Sequence, residues 1–167
     1  MTGMELLLCG LGVIFAGAVI TALFGKWTIL NGWLAFLFGC VGNLFVLIAS
    51  LSFLLGGESV MYSPEGMPFS GIFSVDKLSA LFILVISSLS ILALFYSIRY
   101  IEHYKKNTAL YYPFLLLFVL GMIGVVSVKN MFAFLFAWEF MTLTSYLLII
   151  YDSKEPENLL AGFRYFF

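Results

Sequence analysis

The chain has 167 residues, of which 63% are hydrophobic and only 10% charged, and its mean hydropathy is +1.10. Soluble domains carry roughly a quarter charged residues, so lipid must cover most of this surface and a domain exposed to water on all sides is excluded. Eight basic residues against nine acidic ones leave no excess charge to recruit nucleic acid or another polyanion.

A helix needs about 20 apolar residues to cross the hydrocarbon core. The charges and turn residues divide the chain into five such spans, roughly 5–24, 31–55, 77–98, 109–128 and 130–150. The expected fold is therefore all-α, a single polytopic transmembrane bundle over residues 1–167. The first span follows Met1-Thr2-Gly3-Met4-Glu5, which lacks the basic start of a cleaved signal peptide, so it reads as a permanent helix. The second runs from about Trp27 to Gly57. Gly56 to Ser74, with Pro64 and Pro68, reads as a turn-rich loop. The third span ends at Arg99, and Arg99 to Lys106 reads as a short charged link. Only Val128-Lys129-Asn130 separates the fourth span from the fifth, which implies a tight hairpin. Tyr151 to Asn158 is polar, and 159–167 (LLAGFRYFF) resembles the start of a sixth helix.

Short cytoplasmic loops retain Lys and Arg. With the N-terminus outside, the inner segments hold Lys26, Arg99, Lys105, Lys106, Lys154 and Arg164, and the outer segments hold only Lys77 and Lys129. The expected placement is multi-pass in the cell membrane, N-terminus outside. Trp27, Trp33, Tyr96, Tyr100, Tyr111 and Tyr112 suit an aromatic belt at the membrane interfaces.

Glu139 is the one charge in the fifth span and falls near its middle. An ionised carboxyl at that depth costs several kcal/mol unless it is paired, hydrated or protonated, which makes it a functional candidate. Thr142 and Tyr146 follow at i+3 and i+7 on the same helical face, among Phe132, Leu135, Phe136 and Leu143. Together they suggest a proton wire. The plainer alternatives are a carboxyl that only joins two helices, and a Thr142 hydroxyl bonded to a backbone carbonyl one turn back.

The remaining polar residues have structural readings. His103 is the only histidine and belongs to the charged link; one histidine cannot supply bis-His haem ligation, and Cys9 and Cys40 cannot hold an iron–sulfur cluster. Both cysteines read as buried small hydrophobes. No metal or cofactor site is expected. Asp76 suits an N-cap of the third helix, and Asn43 a hydrogen bond to a neighbouring helix. Gly10, Gly12, Gly17, Gly39, Gly42, Gly121 and Gly124 suit close helix packing.

The stretch Ser127 to Ile149 (SVKNMFAFLFAWEFMTLTSYLLI), with Trp138-Glu139 followed by Met141-Thr142-Leu143-Thr144-Ser145-Tyr146, resembles the antiporter-like membrane subunits of respiratory complex I, membrane-bound hydrogenases and Mrp-type antiporters. Phe73-Ser74-Val75-Asp76-Lys77-Leu78-Ser79-Ala80 is similar to the start of that family's third helix. The flavour is nearest to component B of hydrogenase-4 and formate hydrogenlyase complexes. The resemblance implies that Glu139 is the fifth-helix glutamate that exchanges protons opposite a lysine on a later, broken helix. It implies proton or sodium translocation in an oxidoreductase complex whose redox centres lie in partner subunits of hydrogenase or NADH dehydrogenase type. It also implies that the family's later helices, including the lysine-bearing one, lie beyond Phe167. The competing expectation is a non-transporting membrane scaffold that seats a redox complex.

Overall fold

The computed structural model describes residues 2–25, 28–56, 60–62, 73–104 and 110–150. In chain order these form α1 (Gly3–Leu23), α2 (Thr28–Gly56), β1 (Val60–Tyr62), β2 (Phe73–Val75), α3 (Lys77–Tyr104), α4 (Tyr111–Ser127) and α5 (Met131–Ile150). The chain is an all-α polytopic bundle: α1, α2, α3 and α5 are each long and apolar enough to cross a membrane, and α4 is a shorter apolar helix of 17 residues. At 1.5 Å per residue α4 is about 26 Å long, slightly under the ~30 Å hydrocarbon core.

Local chemistry sets the helix starts. Thr2 Oγ1 accepts the Glu5 N–H at 3.3 Å while the Glu5 carboxylate accepts the Thr2 N–H at 2.9 Å, a reciprocal cap on α1. Asp76 caps α3 as expected, its Oδ1 accepting the Ser79 N–H at 2.7 Å. Asn130 opens α5 in the same way, accepting from Phe132 N–H at 2.9 Å.

Burial then follows helical spacing. Met4, Leu7, Gly10, Ile14, Gly17, Ala18 and Thr21 form the inner stripe of α1. It packs on α2, which packs in turn on α3; α4 lies against α1 and touches α3 and α2, and α5 rests chiefly on α4. Lipid tails offer no hydrophobic drive between helices, so small residues that let backbones approach do much of this work. A methyl group on Gly10 would lie 2.7 Å from the Gly42 carbonyl oxygen, and one on Gly39 would collide with the Leu94 side chain. The outward faces carry Phe15, Leu37, Ile48, Leu81, Leu89 and Phe95, all exposed, which is the surface a bilayer solvates. This is a membrane protein.

Several details depart from the sequence reading. α3 runs on to Tyr104, so the first part of the charged link is helical: no Gly or Pro interrupts it, and charged residues are tolerated once the helix leaves the hydrocarbon. The loop after α2 contains an antiparallel ladder, Val60↔Val75, Met61↔Ser74 and Tyr62↔Phe73, and Phe73 also bridges to Val128 in the α4–α5 turn. Tyr112 is not an interfacial belt residue. It is 1% exposed, fills the space beside Gly32 and donates its hydroxyl to the Ser97 carbonyl at 3.5 Å. Cys9 is exposed, because the α1 stripe passes through Leu7 and Gly10 on the other side. Gly12 has open space where a side chain would stand. Asn43 donates to Gly39 O of its own helix at 2.8 Å, not to a neighbour.

The expected polar segment 151–158, the helix start at 159–167, and Lys26, Trp27, Lys105 and Lys106 lie outside the described residues, as do the loop prolines Pro64 and Pro68. His103 lies within α3, at its C-terminal end.

Candidate functional site

Glu139 sits near the middle of α5, on the side turned away from the rest of the bundle. The helix contacts α4 through the opposite side: Gly121 faces the Met141 backbone, with 3.0 Å to a methyl built there, and Gly124 faces Ala137. Thr144 is the one residue of α5 that is fully buried. It stands five positions from Glu139, about 140° around the helix.

The carboxylate therefore lies on a broad apolar stripe. Phe132 is 84% exposed, Phe136 76%, and Leu135 and Leu143 are nearly half exposed. Phe136, Glu139, Phe140 and Leu143 line a shallow open depression of about 290 Å³ on this face. A carboxyl surrounded only by lipid tails is costly unless it is paired or hydrated. No Lys or Arg lies within α5.

The candidate relay residues are arranged unequally. Thr142 is half-buried, and its hydroxyl donates to the Trp138 carbonyl at 3.0 Å, the plainer of the two roles its sequence position allowed. Thr144 makes the same kind of bond, to Phe140 O and Met141 O, both at 2.9 Å. Tyr146 is half-buried two turns along the helix. A proton wire starting at Glu139 would require Thr142 to give up its backbone acceptor. Trp138, beside Glu139, packs edge-on against Phe134 with centroids 5.5 Å apart.

Sequence reading passed over the serines of α3. Ser87, Ser90 and Ser97 are buried in line with Ala80, Ile83, Leu94 and Ile101, and that spacing of three and four was the available signal. Among the described residues, no cluster of three His, Cys, Asp or Glu side chains could hold a metal ion.

The fold and this carboxylate define a class, a multi-pass membrane bundle with an ionisable residue at mid-depth. Comparison with known proteins narrows it. Residues 62–112 match the family described as NADH-ubiquinone oxidoreductase (complex I), chain 5 N-terminus. The candidate antiporter subunit mnhA2 of Staphylococcus aureus (strain MRSA252) is 33% identical over 128 residues, covering 71% of this chain and 16% of that protein. The protein of the same name from Staphylococcus epidermidis is 34% identical over 92 residues, 55% of this chain and 12% of its own length. NADH-quinone oxidoreductase subunit L of Neisseria meningitidis serogroup B is 30% identical over 101 residues, 60% of this chain and 15% of its length. The chain is a relative of the antiporter-like membrane subunits, as its fifth-helix motif suggested. It spans no more than about one-sixth of the length of these relatives. The family match covers the loop after α2, α3 and the start of α4, and ends before α5 and Glu139.

Proposed function

We propose that this chain contributes membrane helices and a titrating carboxylate, Glu139, to an antiporter-like subunit that moves protons or sodium ions within a redox-driven membrane complex. The observation that carries this reading is the placement of Glu139. It is the one Asp, Glu, Lys, Arg or His in α5, it stands near mid-helix, and it opens onto an unpacked apolar face. Such a carboxylate is costly unless something further covers it. A helix bearing a cation, packed over this stripe, would stabilise the carboxylate, and its retreat would favour the neutral acid. That alternation is what a proton relay requires.

The kinship with an antiporter subunit and with a quinone oxidoreductase subunit supports ion movement in a multi-subunit assembly. The finer assignments are proposed with it. The partner subunits are of hydrogenase or NADH dehydrogenase type, and the redox centres reside in them. The N-terminus faces outward, because the basic residues concentrate in the segments this orientation places inside.

The test is Glu139→Gln, which keeps the shape and hydrogen-bonding capacity of the side chain and removes its titration. In vesicles containing the assembled complex, redox-driven formation of a pH or sodium gradient should fall while assembly and electron transfer persist in part. Thr142→Val should have a milder effect, since that hydroxyl is already committed to Trp138 O. Undiminished gradient formation by Glu139→Gln would remove the transport role and leave a scaffold.

A further inference from the structure

Four helices meet at one level of the bundle. A side chain on Gly39 of α2 would strike both Leu94 of α3 and, at 3.0 Å, Leu116 of α4; one on Gly17 of α1 would lie 3.4 Å from Leu116. Near the end of the bundle where α2 begins, Gly32 abuts Tyr112, whose hydroxyl reaches Ser97 O. Going along α2 from Gly32 to Gly39 thus corresponds to going back along α3 from Ser97 towards Leu94, so the two helices are antiparallel.

One further step towards the other end brings α2 to Asn43 and α3 to Ser90, each four residues from the Gly39–Leu94 contact and on the same face as its contact residue. Ser87 follows less than one turn beyond. Asn43 and Ser87 are fully buried and Ser90 is 4% exposed. Asn43 Oδ1, Ser87 Oγ and Ser90 Oγ are all enclosed and have no hydrogen-bonding partner among the described residues. Other serines of these helices turn onto their own backbone: Ser50 bonds Leu47 O, Ser88 bonds Leu84 O and Ser97 bonds Leu94 O, each at 2.8 Å. Ser87 and Ser90 do not.

Leaving a buried polar atom unsatisfied costs about 1–3 kcal/mol, and such atoms gathered in one place are the usual setting of an internal water. We infer that Asn43, Ser87 and Ser90 form a hydration site between α2 and α3 that holds a buried water. The water donates to Asn43 Oδ1 and exchanges hydrogen bonds with the two serine hydroxyls. A metal cation fits the same three oxygens poorly, because α2 carries no acidic residue and the only one on α3, Glu102, lies at its far end. Uncompensated burial of a charge would cost far more than burial of a water.

The depth of this site is what gives it interest. On α4, one turn beyond Leu116 lies Leu120, next to Gly121, which faces Met141 of α5. The polar trio therefore lies within about one turn of the level of Glu139, on the far side of α4. The inference does not depend on the transport role of Glu139.

The test is X-ray hydroxyl-radical footprinting of the assembly that carries the chain, in lipid nanodiscs and water enriched in oxygen-18. Radicals form where water is held, so they oxidise side chains beside a bound water even when no bulk solvent reaches them. Ile83 and Leu94 flank the serines on the same stripe and are buried to the same degree as Leu7 on α1 and Ile123 on α4. Ile83 and Leu94 should be oxidised faster than Leu7 and Ile123, and the difference should be lost in the Asn43→Leu, Ser87→Ala, Ser90→Ala triple variant. If that variant fails to assemble, the contrast within the wild-type protein decides alone. Equal protection of all four residues would overturn the site and mean that the serines rotate onto their own helix carbonyls. Suppression of the labelling by sodium but not by choline would also overturn it, by placing a cation where we place water.

Discussion

Glu139 and the glycines Gly10 and Gly12 show how differently single positions on an apolar helix are constrained. Gly10 meets the Gly42 carbonyl oxygen, a backbone atom that cannot swing aside, whereas Gly12, two residues on, faces open space. Gly10→Ala should therefore destabilise the bundle by about 1–3 kcal/mol through overpacking. Gly12→Ala should be neutral or stabilise by up to about 1 kcal/mol through better helix propensity. Thermal melting of the purified assembly, followed by aggregation-resistant fluorescence, would read the opposite signs. Both glycines look alike in the sequence, since small residues on a uniformly apolar helix give no facing signal. The same ambiguity placed Cys9 inside and Tyr112 at the interface. Glu139 was legible because charge in a span is rare for a clear energetic reason. The backward bond of Thr142 was legible only as one of two options, because a hydroxyl one turn from a carboxyl and one turn from a carbonyl has both within reach.

Helix ends carry more local information than helix faces. Asp76 at the start of α3 accepts from the Ser79 N–H, and this bond, followed by that to the Ser79 side chain, holds its carboxyl below the ordinary 3.8. A depressed folded-state value means that the cap contributes fully above the unfolded value and is lost as pH falls through the still lower folded one. Its loss therefore lies below about pH 4. Asp76→Ala should cost about 1 kcal/mol at neutral pH, while Asp76→Asn should keep most of the cap and lose its acid sensitivity. Unfolding of both variants, compared between pH 3 and pH 7 in about the same detergent, checks the ranking. The charge pattern foretold the five helices but not that α3 would continue to Tyr104, because a helix has no reason to stop where hydrocarbon stops. The β1–β2 ladder was hidden within a Gly- and Pro-rich stretch whose composition argues for turns.

As a whole, the molecule is four helices around a shared seam with a fifth leaning on one of them. The carboxylate on the outward apolar stripe of α5 predicts that the chain is incompletely covered on its own. Expressed alone it should aggregate in mild detergent, and it should copurify with further membrane subunits when these are coexpressed. A monodisperse monomer in size-exclusion chromatography would contradict this. The proposed orientation has its own measurement: a cysteine at Asn107 or Thr108, in a background without Cys9 and Cys40, should resist membrane-impermeant thiol reagents in intact cells and react after lysis. The kinship with antiporter-like subunits was readable from the motif around Trp138 and Glu139, because an acid in the middle of an aromatic-rich apolar helix is an uncommon combination. What covers that acid was not readable from these helices, since the answer resides in contacts they do not make with one another.

The backbone bridge between Phe73 and Val128 fixes the start of α5 to the ladder that also leads into α3. A tilt of α5 about that bridge pivots near its first turn. With the helix about 30 Å long and Glu139 about 12 Å from that pivot, the carboxylate travels roughly two-fifths as far as Ile150. The arrangement is a reducing lever, which turns a wide swing at one membrane surface into a fine adjustment of the carboxylate at the centre.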